Sequence, residues 1–196
     1  MRPYERLLKC REEIRKRTDF RPQVGIVLGS GLGGYADNME ISCEIPYREI
    51  PGFPVSTVQG HDGKFCWLRK NTPVILMKGR VHYYEGYPME DVVLPVRLMG
   101  LLGADTVILT NAAGGINRTF QAGDLMLITD HISIAVPNPL RGENIDELGT
   151  RFPDMSHVYD PGLQEAAKEA AARQGISLRE GIYVQCSGPS YETPAE

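Results

Sequence analysis

Apolar residues in this chain gather in short uninterrupted runs rather than in long stripes. Residues 24–28, 65–68, 73–77, 106–110, 125–128 and 182–185 are runs of this kind, each bounded by Gly, Pro, Asn or Asp. Such brief runs between turn-forming residues predict buried strands rather than helices. Residues 41–45 (Ile-Ser-Cys-Glu-Ile) are strand-like as well. Helical spacing occurs in three places: Tyr4, Leu7, Leu8, Arg11 and Ile14 near the start, residues 89–102 ending at Gly103, and the Ala-rich 162–173 ending at Gly175. Strands alternating with helices predict an α/β sheet in one domain, with no internal repeat or linker. Residues 137–154, with Pro137, Pro139, Gly142, Gly149 and Pro153, form the one long irregular stretch. A functional loop and a plain surface excursion both fit it.

Composition narrows the class. With 196 residues, 42% hydrophobic and 23% charged, the chain is long and apolar enough for a core. Its net charge of −4 argues against a general nucleic-acid binder. The first 21 residues carry eight basic and four acidic side chains, but the helical spacing there places those charges on a solvated face. No apolar run approaches the ~18 residues a membrane span needs, and neither a secretion signal nor a transit peptide is evident, which makes the cytoplasm the expected compartment. Cys10, Cys43, Cys66 and Cys186 form no CxxC pair. Reduced packing cysteines are therefore expected, with no metal site.

The chemistry collects where strand-like runs end in turns, the usual place for ligands in α/β proteins. The first turn, Gly29-Ser-Gly-Leu-Gly-Gly34, formally fits G-x-G-x-x-G, and its bare amides suit a phosphate, with the Ser30 hydroxyl in reach. Only residues 35–40 separate it from the next strand-like stretch, too few for the crossover helix of a dinucleotide-binding unit. Anion binding and a tight turn without a ligand remain. In the second turn, residues 78–87, an extended chain would put Arg80, His82 and Tyr84 on one face. Guanidinium pairs bidentately with phosphate, imidazole donates or shares a proton, and a phenol suits a sugar hydroxyl; the alternative is a satisfied surface arginine beside a capping histidine. His61, in Gly60-His-Asp-Gly63, is a weaker candidate of the same kind. The third turn, Thr110-Asn-Ala-Ala-Gly-Gly115, lets a ligand approach the backbone. After the last strand, Tyr191 offers an aromatic face and Glu192 a carboxylate, a pair that suits a purine bearing N–H donors. Glu192 reads equally well as a carboxylate at a helix start.

Taken together, GSGLGG at 29–34, GRVHYYEGYP at 79–88, TNAAGG at 110–115, DHIS at 130–133, NPLRG at 138–142, RFPDMS at 151–156 and GPSYETPAE at 188–196 resemble the trimeric-type purine nucleoside phosphorylases, over a span from about Arg21 to Glu196. The resemblance implies a mixed β-sheet closing into a distorted barrel with helices around it, and a homotrimer. It implies reversible phosphorolysis of purine nucleosides, inosine and guanosine in particular, without a metal or organic cofactor and with phosphate as co-substrate. By matching motif, Ser30, His61, Arg80, His82 and Ala112 would hold phosphate, Tyr84 and Phe152 the ribose, and Tyr191 and Glu192 the base. His82 and Glu192 would be the catalytic residues. The chain departs from the family at Asp62, where a small residue is expected, and it would lack the family's C-terminal portion. A methylthioadenosine phosphorylase of the same fold and a non-catalytic nucleotide-binding fragment are the alternatives.

Overall fold

The computed structural model describes residues 1–56, 63–69 and 71–196, in two compact units, Met1–Ala112 and Ala113–Glu196. The first unit is built on a five-stranded mixed sheet. Its strands are β1 (Val24–Leu28), β2 (Ile41–Pro46), β3 (Lys64–Arg69), β4 (Pro73–Lys78) and β5 (Thr106–Leu109), in the order β2-β3-β4-β1-β5. β1 runs parallel to both β4 and β5, while β2, β3 and β4 are antiparallel. The apolar run Val-Gly-Ile-Val-Leu of β1 fits its place inside the sheet, where every one of its residues is buried or half-buried.

β3 is buried on both faces, which is why its sequence does not alternate. Phe65 and Trp67 join Tyr47 and Phe53 in an aromatic cluster with ring centroids 4.8–6.0 Å apart. Cys66 and Leu68 pack on the other side with Leu28, Ala36 and Leu76. Helices α1 (Pro3–Arg15) and α2 (Met89–Leu102) pack against each other. Arg6 pairs with Asp91, and Arg15 donates to the carbonyls of Phe20 and Leu102 at 2.6 and 2.7 Å, capping the end of α2. The buried stripe of α1 is Leu7, Cys10 and Ile14. Cys10 thus takes the place expected for Leu8, because the face points toward Pro51, whose carbonyl lies 3.8 Å from the thiol.

In the second unit β6 (Leu125–Ile132) and β7 (Leu178–Val184) form a parallel ribbon, with α3 (Pro161–Arg173) against β6. Both strands outrun their apolar cores. Arg179 is neutralised by Asp124 at 3.1 Å and Glu180 by Lys168 at 3.1 Å, so polar residues enter the ladder at little cost. Cys186 is exposed, unlike a packing residue. The mixed sheet with helices agrees with the expected α/β architecture. Among the described strands the sheet is open, with β2 and β5 as its edges, and not a closed barrel. No helix among the described residues is long and apolar enough to cross a membrane.

Candidate active site

Parallel strands carry their carboxyl ends to one edge of a sheet, and here that edge gathers three turns. Leu28 is level with Lys78, and Val27 with Leu109, so the turns after β1, β4 and β5 start side by side. The first and third interlock. Gly29 N donates to Thr110 Oγ1 at 2.9 Å, and Thr110 Oγ1 and N both donate to the Val27 carbonyl, at 2.8 and 3.1 Å. A Cβ on residue 29 would lie 2.6 Å from the Thr110 carbonyl oxygen, so only glycine lets the two backbones meet. The Arg80 guanidinium reaches into this junction, with Nη1 3.2 Å from the Leu28 carbonyl and 3.5 Å from that of Thr110. Backbone oxygens on two strands therefore aim it.

His82 is held from its own chain. Glu85, whose side chain is only 2% exposed, accepts from the backbone N of His82 at 2.7 Å and lies 2.8 Å from Nδ1, while its other oxygen accepts from Ser56. Glu85 thus fixes the orientation of the imidazole from the Nδ1 side. The second turn is not an extended run. Glu85 caps it into a 3-10 helix at Tyr83–Glu85, followed by Gly86 in the left-handed region. Tyr84 is still delivered to His82, by stacking at 4.8 Å and 17° rather than by strand alternation.

Ser30, Arg80 and His82 line one cavity of about 370 Å³ together with the glycine turn, Gly79, Lys64 and Lys78. Its wall offers hydroxyl, guanidinium, imidazole, two ammonium groups and glycine amides. That donor set, with no carboxylate among the described lining residues, suits a small polyoxyanion. Ala112 follows two residues after Thr110, with its carbonyl accepting from Asn111 Nδ2 at 3.1 Å. His61 and Asp62 lie outside the described residues. Among the described residues no cluster of His, Cys, Asp and Glu could hold a metal ion.

The family model described as Phosphorylase superfamily matches residues 23–196. Purine nucleoside phosphorylase 1 of Geobacillus stearothermophilus is 50% identical over 184 residues, which is 93% of this chain and 67% of that protein. The chain belongs to the phosphorylase superfamily. Among solved structures, a purine nucleoside phosphorylase in complex with ribose-1-phosphate superposes with a TM-score of 0.91 at 41% identity, covering 98% of this chain and 73% of that one. The Schistosoma mansoni enzyme in complex with inosine gives 0.89 at 40%, covering 98% and 69%.

The remaining candidates of this phosphorylase-superfamily chain belong to the second unit. Phe152 is 85% exposed in the irregular loop, with the Arg151 guanidinium 5.7 Å over its ring and Arg151 Nη1 donating to the Leu140 carbonyl at 2.6 Å. Tyr191 is 95% exposed. Loss of hydration and then a hydrogen bond to Glu192 push the Cys186 thiol up. Three residues important to the first unit's site went unsingled in the sequence. Glu85 stands three after His82, a capping spacing that could have found it. Thr110 was visible only as part of its motif. Tyr47 carried no signal: its buried phenol donates to the Gly79 carbonyl at 2.9 Å and its ring fills the space a Cβ on Gly63 would need.

Proposed function

We infer that this chain catalyses the reversible phosphorolysis of purine ribo- and deoxyribonucleosides, with inosine and guanosine as substrates, to the free base and pentose 1-phosphate. One observation carries the reading. A donor-lined cavity stands at the neighbouring carboxyl ends of the parallel strands β1 and β4 in a chain 50% identical over 184 residues to a purine nucleoside phosphorylase. Cleavage of the glycosidic bond builds positive charge on the ribosyl ring and negative charge on the departing purine. Phosphate held below C1′ supplies both the nucleophile and the counter-charge, and its pre-organisation removes the entropy of bringing two reactants together.

Phosphate falls to Ser30, Arg80, His82, His61 and the backbone at Ala112. Arg80 pairs with two phosphate oxygens through its fork, and His82 donates from its imidazole. Tyr84 sits against the ribose. Phe152 reaches a neighbouring subunit's sugar pocket in a homotrimer, a role its exposure supports, and Tyr191 and Glu192 meet the base. The chain acts as a single domain in the cytoplasm, and phosphate is a co-substrate with no metal or organic cofactor.

The test is product analysis. Purified protein is incubated with inosine, with and without phosphate, and hypoxanthine and ribose 1-phosphate are separated by chromatography. Hypoxanthine release that depends on phosphate and matches ribose 1-phosphate mole for mole is expected. Equal release without phosphate makes the protein a hydrolase and overturns the reading.

A further inference from the structure

Two of the cations lining the cavity are not explained by the roles above. Lys64 and Lys78 are register partners across the antiparallel β3–β4 pair, so their side chains leave the same face of the sheet side by side. Like charges directly opposite one another destabilise a sheet. Both sit at the end of the face whose inner part is Leu28, Cys66, Leu68 and Leu76, and both open on the cavity. The stem of Lys78 passes the glycine turn, where a Cβ on Gly33 would lie 3.8 Å from its Cε.

Each ammonium is held by a carboxylate from a different element. Lys64 Nζ lies 2.9 and 2.8 Å from the two oxygens of Glu44 on β2. Lys78 Nζ lies 2.5 Å from Asp37 Oδ1, in the 3-10 turn Gly33–Asn38 that follows the glycine turn. In both pairs the lysine is the more buried member: 24% exposed against 40% for Glu44, and 23% against 65% for Asp37. The carboxylates therefore stand on the solvent side and the ammonium groups toward the cavity. Pairs this exposed are weakly bound and readily exchanged for a better anion.

We propose that Lys64 and Lys78 are a second pair of cations for the phosphate in this cavity, and that Glu44 and Asp37 compete with phosphate for them. The proposal rests on the phosphate reading of the same cavity. While phosphate is absent, the two carboxylates cancel the repulsion between the lysines. When the dianion enters, the ammonium groups turn part of their charge to it, and the outward carboxylates pass to water. Phosphate affinity is thereby set by a balance between two acidic and two basic side chains outside the Arg80–His82 pair.

Opposite charge changes separate this balance from mere damage. Inorganic phosphate is titrated calorimetrically into the purified chain and into Asp37→Asn, Lys78→Gln, the double variant and Arg80→Lys, at low and high salt. Asp37→Asn should tighten phosphate three- to tenfold, about 0.6–1.4 kcal/mol, a gain that misfolding cannot mimic. Lys78→Gln should weaken it by a similar factor, and Asp37→Asn should have no effect once Lys78 is gone. The Asp37→Asn gain should shrink at high salt, as expected of a charge effect near the surface. If Arg80→Lys weakens phosphate while Asp37→Asn and Lys78→Gln leave it unchanged, the second cation pair is refuted and the phosphate cavity stands. If Arg80→Lys also changes nothing, the phosphate reading falls with it.

Discussion

Replacing Gly29 by alanine probes the junction that aims Arg80. The added Cβ would lie 2.6 Å from the Thr110 carbonyl oxygen, 2.7 Å from Asn111 Cα and 2.9 Å from the Thr110 carbonyl carbon. Carbon contacts are comfortable at about 3.5–4.0 Å, so relief takes a separation of roughly 0.5–1 Å. All three atoms are backbone, and no rotamer change can supply it. The ends of β1 and β5 must part where Gly29 N meets Thr110 Oγ1 and Thr110 N meets the Val27 carbonyl. Overpacking of this kind costs about 1–3 kcal/mol, and each of two strained hydrogen bonds adds about 0.5–1.5 kcal/mol, so a loss of about 2–6 kcal/mol in folding stability is expected. The same parting moves the Leu28 and Thr110 carbonyls that flank Arg80, and phosphate KM should rise on the order of tenfold or more. Two neighbours serve as comparisons. Gly34 has nothing within 4 Å and no positive φ, so Gly34→Ala should be neutral or stabilising by about 0.4–1 kcal/mol. Gly31 has open space but φ +85°, so Gly31→Ala should lose only the left-handed cost of about 1–2 kcal/mol. Urea unfolding midpoints and phosphate titrations of inosine phosphorolysis measure both effects. A Gly29→Ala protein as stable as Gly34→Ala, with the parent's phosphate KM, would refute the reasoning.

Arg80→Lys loses the paired charge-assisted bonds a fork can make, and phosphate KM should rise about tenfold while inosine KM holds; steady-state kinetics with each substrate varied in turn decides it. Glu192→Gln should cost inosine about 1.5–3 kcal/mol, or tenfold to a hundredfold in kcat/KM, because a donor at purine N1 loses its carboxylate. Adenosine has no proton at N1, so an unchanged inosine-to-adenosine ratio would return Glu192 to a structural role. Asp160 Oδ1 accepts from Leu163 N at 2.8 Å at the start of α3, and Asp160→Ala should lower stability by about 1 kcal/mol in denaturant unfolding. Burial, and then the neighbouring Glu44 carboxylate, push the Cys66 thiol up to about 12. Above an unfolded value near 9.0 the folded chain then holds the extra proton, so stability should fall as pH rises from there toward 12, and a Cys66→Ala protein should lose part of that slope.

The parallel core was legible because burial on both faces writes itself as an unbroken apolar run, and β1 runs over the expected residues, Val24–Leu28. α2 likewise ends where its Gly103 stop stands. β6 and β7 outrun the apolar runs because polar contacts leave no mark in hydropathy: ion pairs with Asp124 and Lys168 admit Arg179 and Glu180 to the ladder, and His131 meets the Tyr159 hydroxyl at 3.2 Å. The cavity's main side chains were visible as turn residues after strands, yet their geometry was not. Tyr84 reaches His82 through a cap made by Glu85, a local hydrogen-bond choice that overrides strand alternation. Tyr47 and Lys64 act from strands or turns that only the antiparallel half of the sheet brings near, and pairing across a sheet has no signature in a single sequence.

The central place of β1 also orders events during folding. Arg80 meets the Leu28 carbonyl across 52 residues of chain, and Gly29 meets Thr110 across 81. Closing such loops costs entropy before any contact rewards it, so contacts of this span form late. A nascent chain that has displayed its glycine turn still lacks the Thr110 partner of Gly29 until the third turn, some 80 residues downstream, has been made and docked. A partly built form accordingly lacks the junction that aims Arg80, and an anion bound there would stabilise the completed sheet.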